Sequence, residues 1–250
     1  MLPKLEIYAM KDNLASMTVK KRSTFDLPMR LLIVGKSQLS GKSTVCGNML
    51  CRPYDEKDDA GLQFYKNDFM GDNIFVISPS VHIDKKWSSI IKGKDIPDGN
   101  IYEQYNEEEL ERLYDKLEML YYDESATGEF QPKLVIFDDC SFSGSFKEKI
   151  NGIMAKYFCN SRHFGISIIC TSQKLSDLST VQRENATGII MFSCSNKQAE
   201  LFYNDVSPIP KKEFMAMLNK ATVKKHSFLV VNYSNEPEER FLNSNFQLVE

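Results

Sequence analysis

A glycine, a lysine and two hydroxyls stand in a row at Gly41-Lys42-Ser43-Thr44, directly behind the stretch Leu31-Leu32-Ile33-Val34-Gly35-Lys36-Ser37-Gln38-Leu39-Ser40. Those residue types in that order suit a polyphosphate. Gly41 lets the backbone approach an anion without a side-chain clash. The helix that begins at Lys42 would aim free N–H groups and its positive dipole end at the same anion. Lys42 offers a mobile charge for the β- and γ-phosphates, and the Ser43 hydroxyl can ligate Mg²⁺. An apolar strand leading into a small-residue loop and then a helix is the context a P-loop demands. The spacing departs from the usual motif: Gly35 and Gly41 enclose five residues rather than four, with Lys36 where the first glycine is expected. Either the loop carries an extra residue or its first turn is built differently. Gly35, Ser40, Gly41, Lys42, Ser43 and Thr44 are therefore the candidate ATP-binding residues.

About ninety residues downstream, Leu134-Val135-Ile136-Phe137 runs into Asp138-Asp139. A buried strand that delivers two carboxylates is the form of a Walker B segment. Asp138 would hold Mg²⁺, directly or through water, and Asp139 would orient and activate an attacking water. Alone, such a strand is common; after a P-loop it gains meaning.

These residues need strands to carry them. Arg30 to Val34 reads as the first core strand and Lys42 to about Leu50 as the helix behind the loop. Arg52 to Asn73 is acidic and irregular, a loop or insert. Asn73 to Ser78 is a second strand stopped by Pro79, with a helix around His82 to Ile91 and a short strand at Ile101 to Tyr105. Asn106 caps a helix whose first turn holds Glu107, Glu108 and Glu109, where negative charge suits the dipole. Its apolar stripe is Leu110, Leu113, Tyr114, Leu117, Leu120 and Tyr121. Asp123 to Gln131 reads as a polar loop. Ser145-Phe146-Lys147-Glu148 has the form of a capping box before a helix that buries Ile150, Ile153, Met154, Tyr157 and Phe158. Ile166 to Cys170 and Ile189 to Phe192 are buried strands, and Phe228 to Val231 and Phe241 to Leu242 are late edge strands. Alternation of strands and helices implies an α/β fold with a mainly parallel sheet covered on both faces. Ligands in such sheets bind beyond the carboxyl ends of the strands, where Gly41, Asp138 and Gln173 all fall.

The chain has 250 residues, 42% hydrophobic and 26% charged, with a formal net charge of −3. That charge does not advertise a nucleic-acid binder, so any DNA contact is local. Lys20-Lys21-Arg22 and the group Lys211, Lys212, Lys220, Lys224 and Lys225 are the candidates, each equally well read as a solvated face. No apolar run is long enough to span a membrane, and Met1 to Arg22 lacks the apolar core of a signal peptide. The six cysteines (Cys46, Cys51, Cys140, Cys159, Cys170, Cys194) show no metal-ligand spacing and read as buried thiols of a reducing compartment. His82, His163 and His226 lie too far apart in the chain to suggest a zinc cluster. Residues 1–26 read as an extension and 27–250 as the P-loop domain.

With both motifs placed, the chain resembles the FtsK/HerA superfamily of P-loop ATPases, and more closely the poxvirus-type genome-packaging ATPases of large DNA viruses and virophages. The carrying residues are Leu27-Pro28-Met29-Arg30, Ser40-Gly41-Lys42-Ser43, Phe75-Val76-Ile77-Ser78-Pro79 and Ile136-Phe137-Asp138-Asp139. Ser161-Arg162-His163-Phe164, Thr171-Ser172-Gln173 and Asn185-Ala186-Thr187 complete the set. The resemblance implies a RecA-like fold and an ATP- and Mg²⁺-dependent motor that moves double-stranded DNA into a capsid. Its partners would be a capsid or portal vertex and further copies in a pentameric or hexameric ring, in the host cytoplasm at a virus factory or on the virion. It gives Gln173 the role of a polar sensor of the γ-phosphate or of water, the alternative being an exposed turn residue. Arg162, between a helix and a strand, would sit at the edge opposite its own nucleotide and serve a neighbour's in trans, with Arg183 as second choice; the alternative is an Arg that caps the carboxyl end of the helix before it. The alternatives are a P-loop nucleotide or small-molecule kinase, against which stand the double Asp and the want of an Arg-rich lid, and a nucleotide-binding capsid component without turnover.

Overall fold

The computed structural model describes residues 17–21, 24–37, 40–51, 65–140, 152–206 and 209–249. Among the described residues, eight strands form one sheet: β1 (Arg30–Val34), β2 (Ile74–Ile77), β3 (Ile101–Tyr102), β4 (Lys133–Phe137), β5 (Ile166–Ser172), β6 (Gly188–Phe192), β7 (Phe228–Asn232) and β8 (Phe241–Leu242). Their spatial order is β3-β2-β4-β5-β1-β6-β7-β8. The first six run parallel, while β7 and β8 are antiparallel additions on one side. The central strands are buried along their whole length, as expected of a sheet covered on both faces.

Alternation along β1 divides the core. Leu32 and Val34 face α3 (Glu107–Thr127), α4 (Ile153–Asn160), α6 (Asn196–Val206) and α7 (Lys211–Ala221). Leu31 and Ile33 face α1 (Lys42–Cys51) and α2 (Lys85–Lys94). A short α5 (Thr180–Glu184) leads into β6. This is the RecA-like P-loop ATPase architecture, with a mainly parallel central sheet flanked by helices on both faces.

Several boundaries differ from the sequence reading. The segment expected to be a loop from Asp123 continues α3 to Thr127 and is closed by Gly128, whose N–H reaches the Glu124 carbonyl. The helix expected near His82 starts at Lys85, because Asp84 is its cap and accepts from the Lys86 N–H. Strand β3 is two residues rather than five, and β5 runs on to Ser172. Helices α5, α6 and α7 were not foreseen. The lysine-rich stretch opens α7 with Lys211 and Lys212, while Phe214, Leu218 and Ala221 bury the helix. Asn106 caps α3 by accepting from Glu108 and Glu109. Gln38, Arg22, the Ser145–Glu148 box, Ile150 and most of the Arg52–Asn73 segment lie outside the described residues. Cys46, Cys140 and Cys170 are buried and the other three cysteines are half-buried, all unpaired. Among the described residues no helix is long and apolar enough to cross a membrane.

Candidate nucleotide site

Parallel pairing brings the carboxyl ends of β1, β4, β5 and β6 to one edge. Leaving β1, the chain keeps one more bond to β5, Gly35 N–H to the Ser172 carbonyl at 3.0 Å. It then folds back on itself. The Ser40 hydroxyl donates to the Lys36 carbonyl at 2.7 Å. A Cβ on Gly35 would lie 2.6 Å from Ser40 Cβ and 2.9 Å from Phe192, so only glycine admits this return. Gly41 has φ +98, a conformation that L side chains rarely adopt. The two glycines thus serve different needs, space at Gly35 and backbone conformation at Gly41. Lys36, at the irregular position, is exposed. Helix α1 starts at Lys42, and Val45 N–H closes its first turn on the Gly41 carbonyl. Ser43 is half-buried and Thr44 exposed on that turn.

Lys42 is the only one of these side chains that reaches across the edge. It is 6% exposed, donates to the Gly35 carbonyl at 3.0 Å and lies 3.6 Å from Asp139 Oδ1. One cation therefore bridges the loop after β1 and the acidic end of β4. These strands are not neighbours, since β5 lies between them. Two strand spacings separate them by roughly 10 Å, enough for a phosphate and a water.

The two acids differ sharply. Asp138 is 2% exposed and accepts three hydrogen bonds: Thr171 Oγ1 on Oδ1 at 2.7 Å, Trp87 Nε1 on Oδ2 at 2.6 Å and Ser78 Oγ on Oδ2 at 3.1 Å. Thr171 serves both acids, because its oxygen also accepts the Asp139 N–H at 3.0 Å. Asp139 is partly exposed and sits at φ +50, in the left-handed region. Its Oδ1 is shielded and has no hydrogen-bond partner among the described residues. Burial raises its carboxyl above the ordinary carboxylate value; Lys42 opposes this, Asp138 adds to it, and hydrogen bonding from Gln173 pulls it down again. An under-bonded carboxylate with a raised pKa beside a cation is chemically suited to take a proton from water.

No group of three or more His, Cys, Asp and Glu among the described residues could hold a metal ion unaided. The Ser43 hydroxyl and the remaining lone pair of Asp138 are hard oxygen donors, and they fit a Mg²⁺ that arrives with a polyphosphate.

Gln173 follows the last residue of β5, between the β1 and β4 ends, as expected from its position in the sequence. Arg162 lies in the turn before β5, at the opposite edge; it is exposed, with His163 Nε2 3.5 Å from its Nε. Arg183 is engaged within the chain, by Asp205 at 2.7 Å and the Leu178 carbonyl at 2.6 Å.

Four partners were missed in the sequence as such: Trp87, Ser78, Thr171 and His226. The last precedes β7, which pairs antiparallel with β6 and so returns the chain to the loop edge. His226 Nδ1 lies 3.2 Å from the Ser40 carbonyl, and its backbone has φ +66. A carbonyl only accepts, so this contact places the proton on Nδ1. Two cavities flank the loop. One of about 410 Å³ is lined by Lys36, Ser40, Phe192, Lys224, Lys225 and His226. The other, about 360 Å³, is lined by Gly35, Lys36, Gln173, Lys174, Cys194 and Lys197 among others. Both are of a size that takes part of a nucleotide.

No curated protein matches the sequence significantly. Among solved structures, the genome packaging NTPase B204 from Sulfolobus turreted icosahedral virus 2, in complex with AMP, has a TM-score of 0.57 at 16% identity, covering 82% of this chain and 93% of B204. The B204 DNA-packaging ATPase from Sulfolobus turreted icosahedral virus gives 0.55 at 14%, over 83% and 94%. The pCW3 conjugation coupling protein TcpA, in its monomer form with ATPγS, gives 0.50 at 12%, over 84% and 58%. At these identities the likeness is one of fold. Residues 73–242 match the sequence profile of the family described as Poxvirus A32 protein, a span that holds the acidic strand and Gln173 but not the loop before Lys42. On that match, which covers well over half of its length, the chain belongs to the poxvirus A32 protein family.

Proposed function

We propose that the protein hydrolyses ATP at this edge and, as a homo-oligomeric ring, uses the turnover to drive double-stranded DNA into a viral capsid. The observation that carries the hydrolytic half is the 3.6 Å approach of Lys42 to Asp139 across an intervening strand. The described backbone at Gly35–Ser37 and Ser40–Lys42 would wrap the phosphates. Lys42 would transfer from the Gly35 carbonyl and Asp139 to the β- and γ-phosphate oxygens, freeing the Asp139 carboxylate. Asp139 would then orient water in line with the γ-phosphate, a contribution of roughly 10²–10⁴ in rate. Gln173 would hold that water from the neighbouring strand end. Mg²⁺, when bound, supplies charge neutralisation between the phosphates; Ser43 and Asp138 are the residues placed to hold it.

From the amino edge Arg162 would not easily serve the nucleotide of its own chain. In a ring it would reach the neighbour's γ-phosphate and stabilise the charge that develops there. The engagement of Arg183 with Asp205 leaves Arg162 as the better choice. The packaging half rests on membership of the A32 family and on the fold shared with packaging NTPases that bind AMP and ATP analogues. It implies a capsid or portal partner and a site of action at the virus factory or on the virion. A kinase is the weaker reading, because the double acid Asp138-Asp139 better suits the activation of water and the sequence offers no Arg-rich lid.

The test is phosphate release with and without double-stranded DNA, read alongside particle mass. Release without any added acceptor, raised by DNA in a species several times the chain mass, is the expected result. Nucleotide binding without release would sink the motor and leave a structural nucleotide.

A further inference from the structure

Trp87 is the only tryptophan of the chain and is 0% exposed. A fully buried indole must find an acceptor for its N–H. Here the acceptor is not a carbonyl but Asp138 Oδ2, at 2.6 Å, 51 residues away in sequence. With Ser78 on the same oxygen and Thr171 on the other, three of the roughly four lone-pair sites of the carboxylate are taken. The helix that carries Trp87 also packs on the helix that opens with Lys42. A Cβ built on Gly47 of α1 would stand 3.1 Å from Ile90 Cγ1, and Ile90 is one turn beyond Trp87 on the same face of α2. Helix α2 thus touches the phosphate-binding helix with one residue and the acidic strand with the other.

We infer that Trp87 is a positioning residue for the metal-bearing nucleotide: its indole N–H fixes the orientation of Asp138 and leaves that carboxylate one further bond to give. This rests on the proposal that the edge binds Mg-ATP. Partners of this kind behind a metal ligand typically set metal affinity by about 10- to 100-fold.

Trp87→Phe keeps the ring bulk and removes the donor. Calorimetry should find ATP affinity in the absence of Mg²⁺ within about twofold of wild type, while the Mg²⁺ concentration for half-maximal tightening rises about tenfold or more. In the wild type, emission of the single tryptophan should change when Mg²⁺ is added to the ATP-bound protein, and Asp138→Asn should lose that change. An unaltered Mg²⁺ requirement in Trp87→Phe, with only a lower melting temperature, would reduce Trp87 to packing and overturn the inference. If that variant does not fold, the wild-type emission decides, and no Mg²⁺-dependent change overturns it too. Wild-type protein that binds no nucleotide by calorimetry would instead overturn the reading of the site, and the inference with it.

Discussion

The two edges of the sheet treat their cations in opposite ways. At the carboxyl edge Lys42 is buried, bonded to Gly35 and held near Asp139. At the amino edge Arg162 is exposed, and among the described residues its side chain meets only the His163 ring, at the limit of a hydrogen bond. Beneath it Arg30 is buried and has an Nη1 with no described partner; burial, and then the nearby Arg162, lower its pKa to about 10. One edge is knit within a single chain, while the other presents a cation that meets no carboxylate among the described residues. That contrast is what a ring ATPase requires if each nucleotide is gripped by one subunit and completed by the next.

Breaking the carboxyl edge should have the largest effect. Lys42→Ala removes the only side chain among the described residues that joins the loop to the acids, and phosphate release should fall to the uncatalysed background. Normal release in this variant would remove the loop from the mechanism. The amino edge is tested next. Arg162→Ala should cost roughly 10³-fold in a pure assembly, in the range of a trans-acting arginine. Mixing it with Lys42→Ala subunits, which retain Arg162, should restore part of the activity. Without such complementation the arginine acts only within its own chain.

Asp139 sharpens the carboxyl edge through pH. Its carboxyl is raised above 3.8 by burial, and it acts as a base only when ionised. Turnover should therefore climb with pH along a limb above that value. Asp139→Asn should drop the rate about 10²-fold, erase the limb and leave nucleotide binding intact. The sign for stability runs the other way. The folded state holds this proton more tightly than the unfolded one, so its contribution is complete at low pH and is lost as pH rises through the folded value. Asp139→Asn should then melt higher than wild type at neutral pH, with the gain shrinking on acidification.

How far the site was legible follows from contact distance along the chain. Gly41-Lys42-Ser43 and Asp138-Asp139 each declare themselves within a few residues, because an apolar strand and its polar terminus are contiguous. Gln173 was legible for the same reason. Trp87 and Ser78 meet Asp138 from 51 and 60 residues away, and His226 meets Ser40 from 186. No periodicity encodes such pairs; the first two exist only once β2 and β4 are side by side, and the third only once β7 returns along β6 beside β1. Helix α7 was hidden differently. Its lysines dominate the local composition, although Phe214, Leu218 and Ala221 recur at helical spacing and are what bury it. The end of α3 was misjudged because Asp123, Glu124 and Ser125 read as polar loop residues, whereas the helix needs no apolar contact there to continue to its Gly128 cap.

The smallest effect tests whether β7 contributes to the carboxyl edge. His226 combines a donor to the Ser40 carbonyl with a left-handed backbone, and two substitutions separate these features. Ala and Gly at 226 both lose the N–H, and only Gly relieves the strain, worth about 1 kcal/mol. Each should weaken nucleotide binding by up to about tenfold, the worth of one net hydrogen bond. The Gly variant should nonetheless melt higher than the Ala variant. Equal affinity losses with unequal melting temperatures would show that β7 steadies the loop through the imidazole donor. If affinity instead tracked stability, the contact would be a by-product of packing, and the carboxyl edge would be built from β1, β4 and β5 alone.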